Sequence, residues 1–592
     1  MTPISFRESQ KIVAERASAL HTSREKINTR NAIHRVLAES VYSHCSNPSS
    51  EVAAMDGIAI DATKVQSRFS ASEWQRINTG DIVGPPWNTV VKIEDVEFDG
   101  ETAIVSSSIV PMQNVRMKGE DFGEGSLLFT ANHFLTAPDL SLLLAAGHGT
   151  VEVLKKPVIT FIPTGSELIQ ENKIESNSAM IAALIESWGG NFKLADPVPD
   201  DHAALKQAIR EAIASSEIVV VSAGTSMGTR DLTASMVREL GTLWFHGVAV
   251  QPAKPVLMGQ IGDVPVIGLP GYPASAYIAS IYFVQPLVRA LSGVENRPRR
   301  EVHISAEEIP ARNTDSIYRV NLFDVDGRIY VRKIPRGAGS VLSLSRMDGL
   351  MHVPPNTAIH KRDGVRIDIV QDRSANTIAI RGVTDQALER LWDLFKNAMP
   401  SHRILFWPSN GEEALESIIE RNSHIAIINT FPDYDLFPDF ARQLQENMLR
   451  YRILSRTIGV VVADSSTLNS VHDLPNDFVV SVPEKNLHLW PKSCTLKQIP
   501  IHLSDEAVLR WIKTQPNTGA FVDIRFLKTN EKVFFETQEH FDLIVSESYS
   551  ELPPIKKLID LLLSPQYGEW ILSFRGCDPG SRGFLHETFD VL

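Results

Sequence analysis

Cysteine is scarce. Three residues in 592, Cys45, Cys494 and Cys577, stand far apart with no CxxC pair, which excludes a disulfide framework and a zinc knuckle and fits a reducing compartment. Positive charge is also in deficit: 58 Lys and Arg against 71 Asp and Glu give a net charge of −13. That balance argues against a general phosphate-backbone binder and leaves room only for local basic sites. Long apolar runs are missing too, since LSLLLAA and IGVVVA fall far short of the roughly 18 residues that span a bilayer. The N-terminal MTPISFRESQKIVAERASAL has helical spacing and neither the apolar region nor the cleavage site of a leader. A soluble, cytoplasmic protein with no membrane and no nucleic-acid partner is expected.

What is present is a 43% hydrophobic composition, enough for several cores in roughly three to five domains. Residues 1–155 open with an amphipathic helix, and NAIHRVLAESVYS reads as a second short helix. Within this region, an inserted unit at about 45–120 shows strand alternation over 51–110, with turn signals at Gly80, Gly84–Pro86 and Asp99-Gly100. Residues 156–299 alternate strands with helices, PVITFIP, SNSAMIAALIESWGG, HAALKQAIREAIASS and EIVVVSAG in order, as in a doubly wound α/β domain. Residues 300–371 return to short strands with a hairpin signal at Asp326-Gly327. Residues 372–592 form another α/β region, with strands in HIAIINT, IGVVVA and DFVVSV.

Five segments between 54 and 275 are chemically alike, namely AMDGIAI, NVRMKGEDFGEG, PTGSELI, SAGTSMGTRD with QPAKP, and GLPGYPASA. Each is a tight turn, and together they offer hydroxyls, carboxylates, arginine and lysine. That mix suits a phosphorylated ligand with a divalent metal: backbone N–H groups and hydroxyls for phosphate, carboxylates for Mg²⁺, and Lys254 as a point charge. Plainer readings exist for each residue. The turn after Ile218–Val221 is a capped βα loop or an anion cradle. Asp56 before Gly57 makes a turn, Asp231 favours a helix dipole, and Arg116 pairs with Glu120 on a surface.

The order of these segments, with NAIHRVLAESV, NTGD, VVKIEDV and ESNS between them, resembles the molybdopterin molybdenumtransferase family, which includes MoeA and the E domain of gephyrin. The similarity covers about residues 1–371. It implies an elongated subunit with a split N-terminal region, a small β domain, a doubly wound α/β pterin-binding domain and a β-barrel, assembled as a homodimer with each site formed between subunits. It also implies insertion of molybdate, or tungstate, into adenylylated molybdopterin with Mg²⁺ and release of AMP. Carried over by position, Asp56, Asp231 and Lys254 are the catalytic candidates, and Asp56 and Asp231 the metal ligands. Thr79, Gly80, Arg116, Glu120, Asp121, Thr164, Gly165, Glu167, Asn177, Gly224, Ser226, Gly228, Pro270, Gly271 and Ser275 are the substrate-binding candidates.

Four departures stand out against that family. Ile58 replaces a usual Tyr, Thr229 a common acid, and Tyr272 a frequent Asn, while Lys-Pro-Gly-Lys-Pro becomes Gln251-Pro252-Ala253-Lys254-Pro255. Ala253 is tolerated there only if the backbone does not need φ > 0. Residues 372–592 resemble the two-lobed periplasmic-binding-protein-like α/β domain of one branch of the family, on RGVTDQALERL, LSRTIGVVV and PPIKKLIDLLLSPQYGEWILSFRGCDP. The loop that could grip an anion reads VVSVPEKNLHLWPK, with no glycine and no arginine, although Arg456 and Gly459 are present. A scaffold or interaction role is therefore expected ahead of sensing. The alternative for the whole chain is a non-catalytic carrier, sensor or partner of a second enzyme copy, and a weaker one is a different nucleotide hydrolase.

Overall fold

The computed structural model describes residues 3–170, 175–222, 232–295, 299–334, 337, 340–431, 435, 437–441, 443, 447–462, 479–483, 497–501, 505–512, 518–527, 533–574 and 576–579. Its first helix, Phe6–Ser18, starts where the Ser5 hydroxyl accepts the Glu8 N–H. Phe6 and Val13 sink into the core of the α/β domain, and Arg16 lies over the Trp244 ring at 4.5 Å.

The second helix expected in NAIHRVLAESVYS is absent. Residues 32–43 run as turns, bridges and the short strand Val41–Tyr42. The reason is tertiary: Val36 and Leu37 bridge to Phe134 and Val153, so their apolar side chains are buried by strand partners and not by a helix face.

Between them and residue 155 lie two three-stranded sheets. One sets Gly57–Ile60 between Trp74–Ile77 and Thr89–Lys92; the other sets Thr102–Val105 between Arg68–Phe69 and Val96–Asp99. Ile58, Ile60, Phe69, Val91, Ala103 and Val105 form a core between them. A Cβ on Gly57 would stand 1.8 Å from the Val91 carbonyl oxygen, so only glycine lets these strands meet beside Asp56.

The α/β domain holds a six-stranded sheet in the order Asn191–Leu194, Val158–Pro163, Ile218–Ser222, Val264–Leu269, Leu257–Ile261 and Thr242–His246. The first four are parallel, Leu257–Ile261 runs against them, and Thr242–His246 is antiparallel to Leu257–Ile261. Ile218 to Val221 are fully buried, as an unbroken β-branched run predicts for a strand covered on both faces. Helices Asn177–Ser187 and His202–Ile213 contribute their apolar faces to its two cores.

Five strands, Asp315–Val325, Arg328–Lys333, Arg299–Ser305, Gly364–Ile369 and Gly349–Val353, close into a barrel, because the last pairs back with the first. The hairpin between the first two turns on Asp326 and Gly327, both at positive φ, 55° and 75°. Along Asp315–Val325, Val320 and Leu322 fill the barrel while Phe323 and Val325 point outward.

Residues 372 onward contribute a nine-stranded sheet. Parallel strands Thr377–Gly382, Arg403–Pro408 and Ile425–Thr430 make one half, and parallel strands Val479–Pro483, Lys497–Ile501 and Thr518–Asp523 the other. Two long antiparallel strands, Met448–Val462 and Val533–Ser546, run through both halves. The first half is fused to the barrel. Ala306, Phe323, Val325 and Tyr330 share one apolar cluster with Ala379 and Trp407, and fully buried Asp348 receives Arg373 at 2.7 Å and Arg403 from across the seam. No helix among the described residues is long and apolar enough to cross a membrane.

Candidate functional site

Parallel strands in an open α/β sheet release their chain at one edge, so the loops after them gather there. After Val158–Pro163, the Thr164 hydroxyl and N–H both reach the Ser222 carbonyl, at 2.8 and 3.0 Å, tying this loop to the neighbouring strand end. Gly165 follows at φ 142°, and its N–H is accepted by Val198. Asn177 opens the next helix. Its Nδ2 donates to the Gly271 carbonyl at 2.9 Å, joining a third loop, while its Oδ1 is buried with no partner among the described residues. A buried amide oxygen without a donor carries a desolvation cost that a ligand N–H or hydroxyl would remove. Pro270 and Ser275 are buried on either side of exposed Gly271 and Tyr272. Thr164, Asn177, Gly271 and Ser275 thus stand on linked loops.

The loop 251–255 lies between this sheet and the barrel, since Val250 and Gln251 pair with Asp315 and Ser316. Lys254 is exposed. Gln251 meets a cation from the barrel, its Oε1 accepting from Arg312 Nη1 at 3.2 Å. Ala253 is buried at φ 88°, the left-handed region that favours glycine. The condition for tolerating alanine there is not met: the loop needs positive φ, and the chain holds Ala253 in it against its steric preference, at roughly 1–2 kcal/mol.

A second group of candidates stands on the small β unit, with its own core. Asp56 Oδ1 accepts the Thr79 N–H and hydroxyl at 2.7 and 2.8 Å, and these bonds hold its carboxyl below the usual range. Both contacts fall on Oδ1, and no described residue bonds Oδ2. Gly80 turns at φ 90°. Arg116 and Glu120 form an exposed pair at 3.5 Å, a contact of small energetic weight. Asp121 accepts from Asn47 at 3.1 Å. Ile58 belongs to the buried core, so that position faces inward.

Gly224, Ser226, Gly228, Thr229 and Asp231 lie outside the described residues, as does the Glu167 side chain. Two residues escaped the sequence reading. Glu175 caps the Asn177 helix, accepting the N–H groups of Asn177 and Ser178 at 2.8 and 2.7 Å; an acid just before a helical run is a readable signal for this. Arg312, by contrast, reaches Gln251 across 61 residues and has no local signature.

Against known proteins, residues 4–147 match the MoeA N-terminal region (domain I and II), residues 160–290 the family described as "Probable molybdopterin binding domain", and residues 303–367 the MoeA C-terminal region (domain IV). A Methanocaldococcus jannaschii protein named for molybdopterin biosynthesis is 29% identical over 404 residues, 62% of this chain and 97% of its own. The molybdopterin molybdenumtransferase of Haemophilus influenzae is 28% identical over 311 residues, 48% of this chain and 77% of its own. A crystal structure of a molybdopterin biosynthesis MoeA protein from Pyrococcus horikosii shares 26% identity at a TM-score of 0.53, covering 61% of this chain and 99% of that one.

Proposed function

Through residues 4–367 this chain belongs to the MoeA family, and from that premise we propose that it is a molybdopterin molybdenumtransferase, inserting molybdate or tungstate into adenylylated molybdopterin with release of AMP. The observation that carries the reading is the buried Oδ1 of Asn177, which has no partner among the described residues and is set where three strand-end loops are tied together. It gives the family's pterin-side loops a polar group whose satisfaction is left to a ligand. Exposed Lys254 supplies a positive charge to the substrate's phosphates or the oxyanion.

Mg²⁺ fits the acidic residue on the other group. Asp56 is an ionised, exposed carboxylate whose Oδ2 no described residue bonds, and this cation takes one or two carboxylates beside substrate oxygens and water. Asp231 is the second proposed ligand. When bound, the cation offsets charge on the phosphoanhydride being cleaved. Thr79 fixes the Asp56 rotamer, and Arg116, Glu120 and Asp121 are proposed to serve the same substrate site.

The two groups stand on different units of the subunit, and the reading joins them across a homodimer. Exposed Tyr42, Met117, Leu127, Phe134 and Leu144 on the N-terminal region are consistent with such a contact. Residues 372–592 are read as a binding-protein-like domain of one branch of the family, supported by two parallel strand sets joined through two long crossing strands.

A non-catalytic carrier is favoured by one observation: Gln251 offers an amide, engaged by Arg312, beside Lys254. The deciding measurement is AMP release from adenylylated molybdopterin with Mg²⁺, with and without molybdate, beside Asp231→Ala. Molybdate-dependent release that the substitution abolishes establishes the transferase. Tight pterin binding without release leaves the carrier. Release that does not require the oxyanion indicates a hydrolase. Mixing inactive Asp56→Ala and Lys254→Ala chains recovers activity if the site is shared between subunits, and recovers none if it is not.

A further inference from the structure

In the C-terminal unit the strand ends of both halves face the two long crossing strands, and five ionised side chains meet there. Asp385 follows Thr377–Gly382 in the half fused to the barrel, where its carboxylate also caps helix Gln386–Ala398 through the Ala387 N–H. Asp523 and Arg525 stand at the end of Thr518–Asp523 in the other half. Arg456 and Glu539 come from the crossing strands themselves.

Arg456 Nη1 donates to Asp385 and Asp523, both at 2.9 Å, and its Nε to Glu539 at 2.7 Å. Arg525 grips Asp385 through Nη1 at 3.0 Å and Nη2 at 2.5 Å, and Asp523 through Nε at 2.8 Å. Asn429, at the end of Ile425–Thr430, donates to the other oxygen of Glu539 at 2.9 Å. The three carboxylates are 1–2% exposed and the two guanidiniums 12% and 8%.

We infer that this cluster is an interlobe latch: Asp385 of one half and Asp523 with Arg525 of the other are clamped onto Arg456 and Glu539, holding the two halves closed without any ligand. Burial opposes ionisation of Asp385, yet Arg525 and Arg456 hold its carboxyl below the usual range, so the latch stays charged. Stoichiometry argues against an anion receptor at this point. Among the described residues three carboxylates face two guanidiniums, each guanidinium already bridges at least two carboxylates, and their net charge of −1 repels a further anion. Two-lobed domains that act as receptors hold ligand between their lobes and close upon it. Here the chain's own Asp385 and Asp523 occupy the point between the halves, and the unit works as a fixed body attached to the barrel. The inference rests on the geometry of residues 372–579 and is independent of the transferase reading.

Hydrogen exchange on the full chain tests it. In the wild type, peptides spanning 448–462, 518–527 and 533–546 are expected to be protected, and their protection to stay unchanged when phosphate, sulfate, molybdate or citrate is added at millimolar concentration. Arg525→Gln is expected to speed exchange over 385–390 and 518–527 at least tenfold while barrel peptides at 315–333 keep their rates. Because that variant leaves the three buried carboxylates to Arg456 alone and invites misfolding, the paired replacement Arg525→Met with Asp385→Leu serves beside it. It removes charge of both signs, and should fold while losing coupling between the two halves. Unchanged exchange in both variants overturns the latch. So does any of the four anions slowing exchange across both halves of the wild type, which would show a cleft that opens and takes a ligand.

Discussion

The chain carries two α/β units with opposite treatment of the same place. In the unit at 156–299 the strand-end loops leave polar groups open: Asn177 Oδ1 has no partner among the described residues, and Lys254 reaches solvent. In the C-terminal unit the described strand ends carry more charge, yet Asp385, Asp523 and Glu539 are all paired with Arg456 or Arg525. Charge density is thus a poor guide to a ligand site. What separates the two is whether the chain itself satisfies its polar groups.

That contrast breaks most visibly at Arg456. Replacing it with Gln takes the cation from buried Glu539 and leaves Asp385 and Asp523 to Arg525 alone, and is expected to cost the C-terminal unit roughly 3–5 kcal/mol, read by urea unfolding, while molybdate-dependent AMP release changes little. A variant as stable as the wild type would place the cluster among solvated pairs of no weight.

A somewhat smaller effect is expected from acid. Burial pushes the His424 imidazole down from 6.5 to about 4, where it accepts the Ala379 N–H beside the barrel seam. The folded state keeps it neutral while the unfolded state binds a proton below 6.5. Stability is therefore full above pH 6.5 and falls as pH drops toward 4, by up to roughly 3 kcal/mol at 1.36 kcal/mol per unit. Urea midpoints at pH 7 and 4.5 measure this, and His424→Asn should flatten the slope.

On the open site the effect is on rate. Lys254→Ala removes an exposed side chain, so stability is expected to shift by about 0.5 kcal/mol or less. AMP release is expected to fall by about a hundredfold or more, as when a charge aimed at a developing anion is removed. Full activity would place Lys254 among solvated loop charges.

The smallest effect is at Ala253→Gly. Relief of roughly 1–2 kcal/mol of left-handed strain offsets the lost methyl contacts and the added chain entropy, leaving a net change of about 0.5 kcal/mol or less. A buried alanine in relaxed backbone would lose more. Thermal unfolding distinguishes the two.

Much of the fold is legible in the sequence. The β-branched run Ile218–Val221, the Asp326-Gly327 hairpin and the helix over HAALKQAIREAIASS are set by local period and turn chemistry, and they occur as the sequence implies. The helix expected in NAIHRVLAESVYS fails because Val36 and Leu37 are claimed by distant strands, which local periodicity cannot reveal. Asp56 and Asn177 are visible as motif members, but the lock of Thr79 on Asp56 and of Asn177 on Gly271 depends on contacts 23 and 94 residues apart. Arg456 is legible as a surviving residue. That its partners are Asp385 and Asp523, and not a ligand, is not.

The cluster of Phe323, Val325, Tyr330, Ala379 and Trp407 bears on descent as well as on stability. A gene shortened after codon 371 would not return a simpler protein. It would leave the outward face of a closed barrel coated with aromatic rings, and the survivors would be chains in which those positions had turned polar. Losing the extension therefore carries a cost in solubility set by Ala306, Phe323, Val325 and Tyr330, whose burial depends on Ala379 and Trp407.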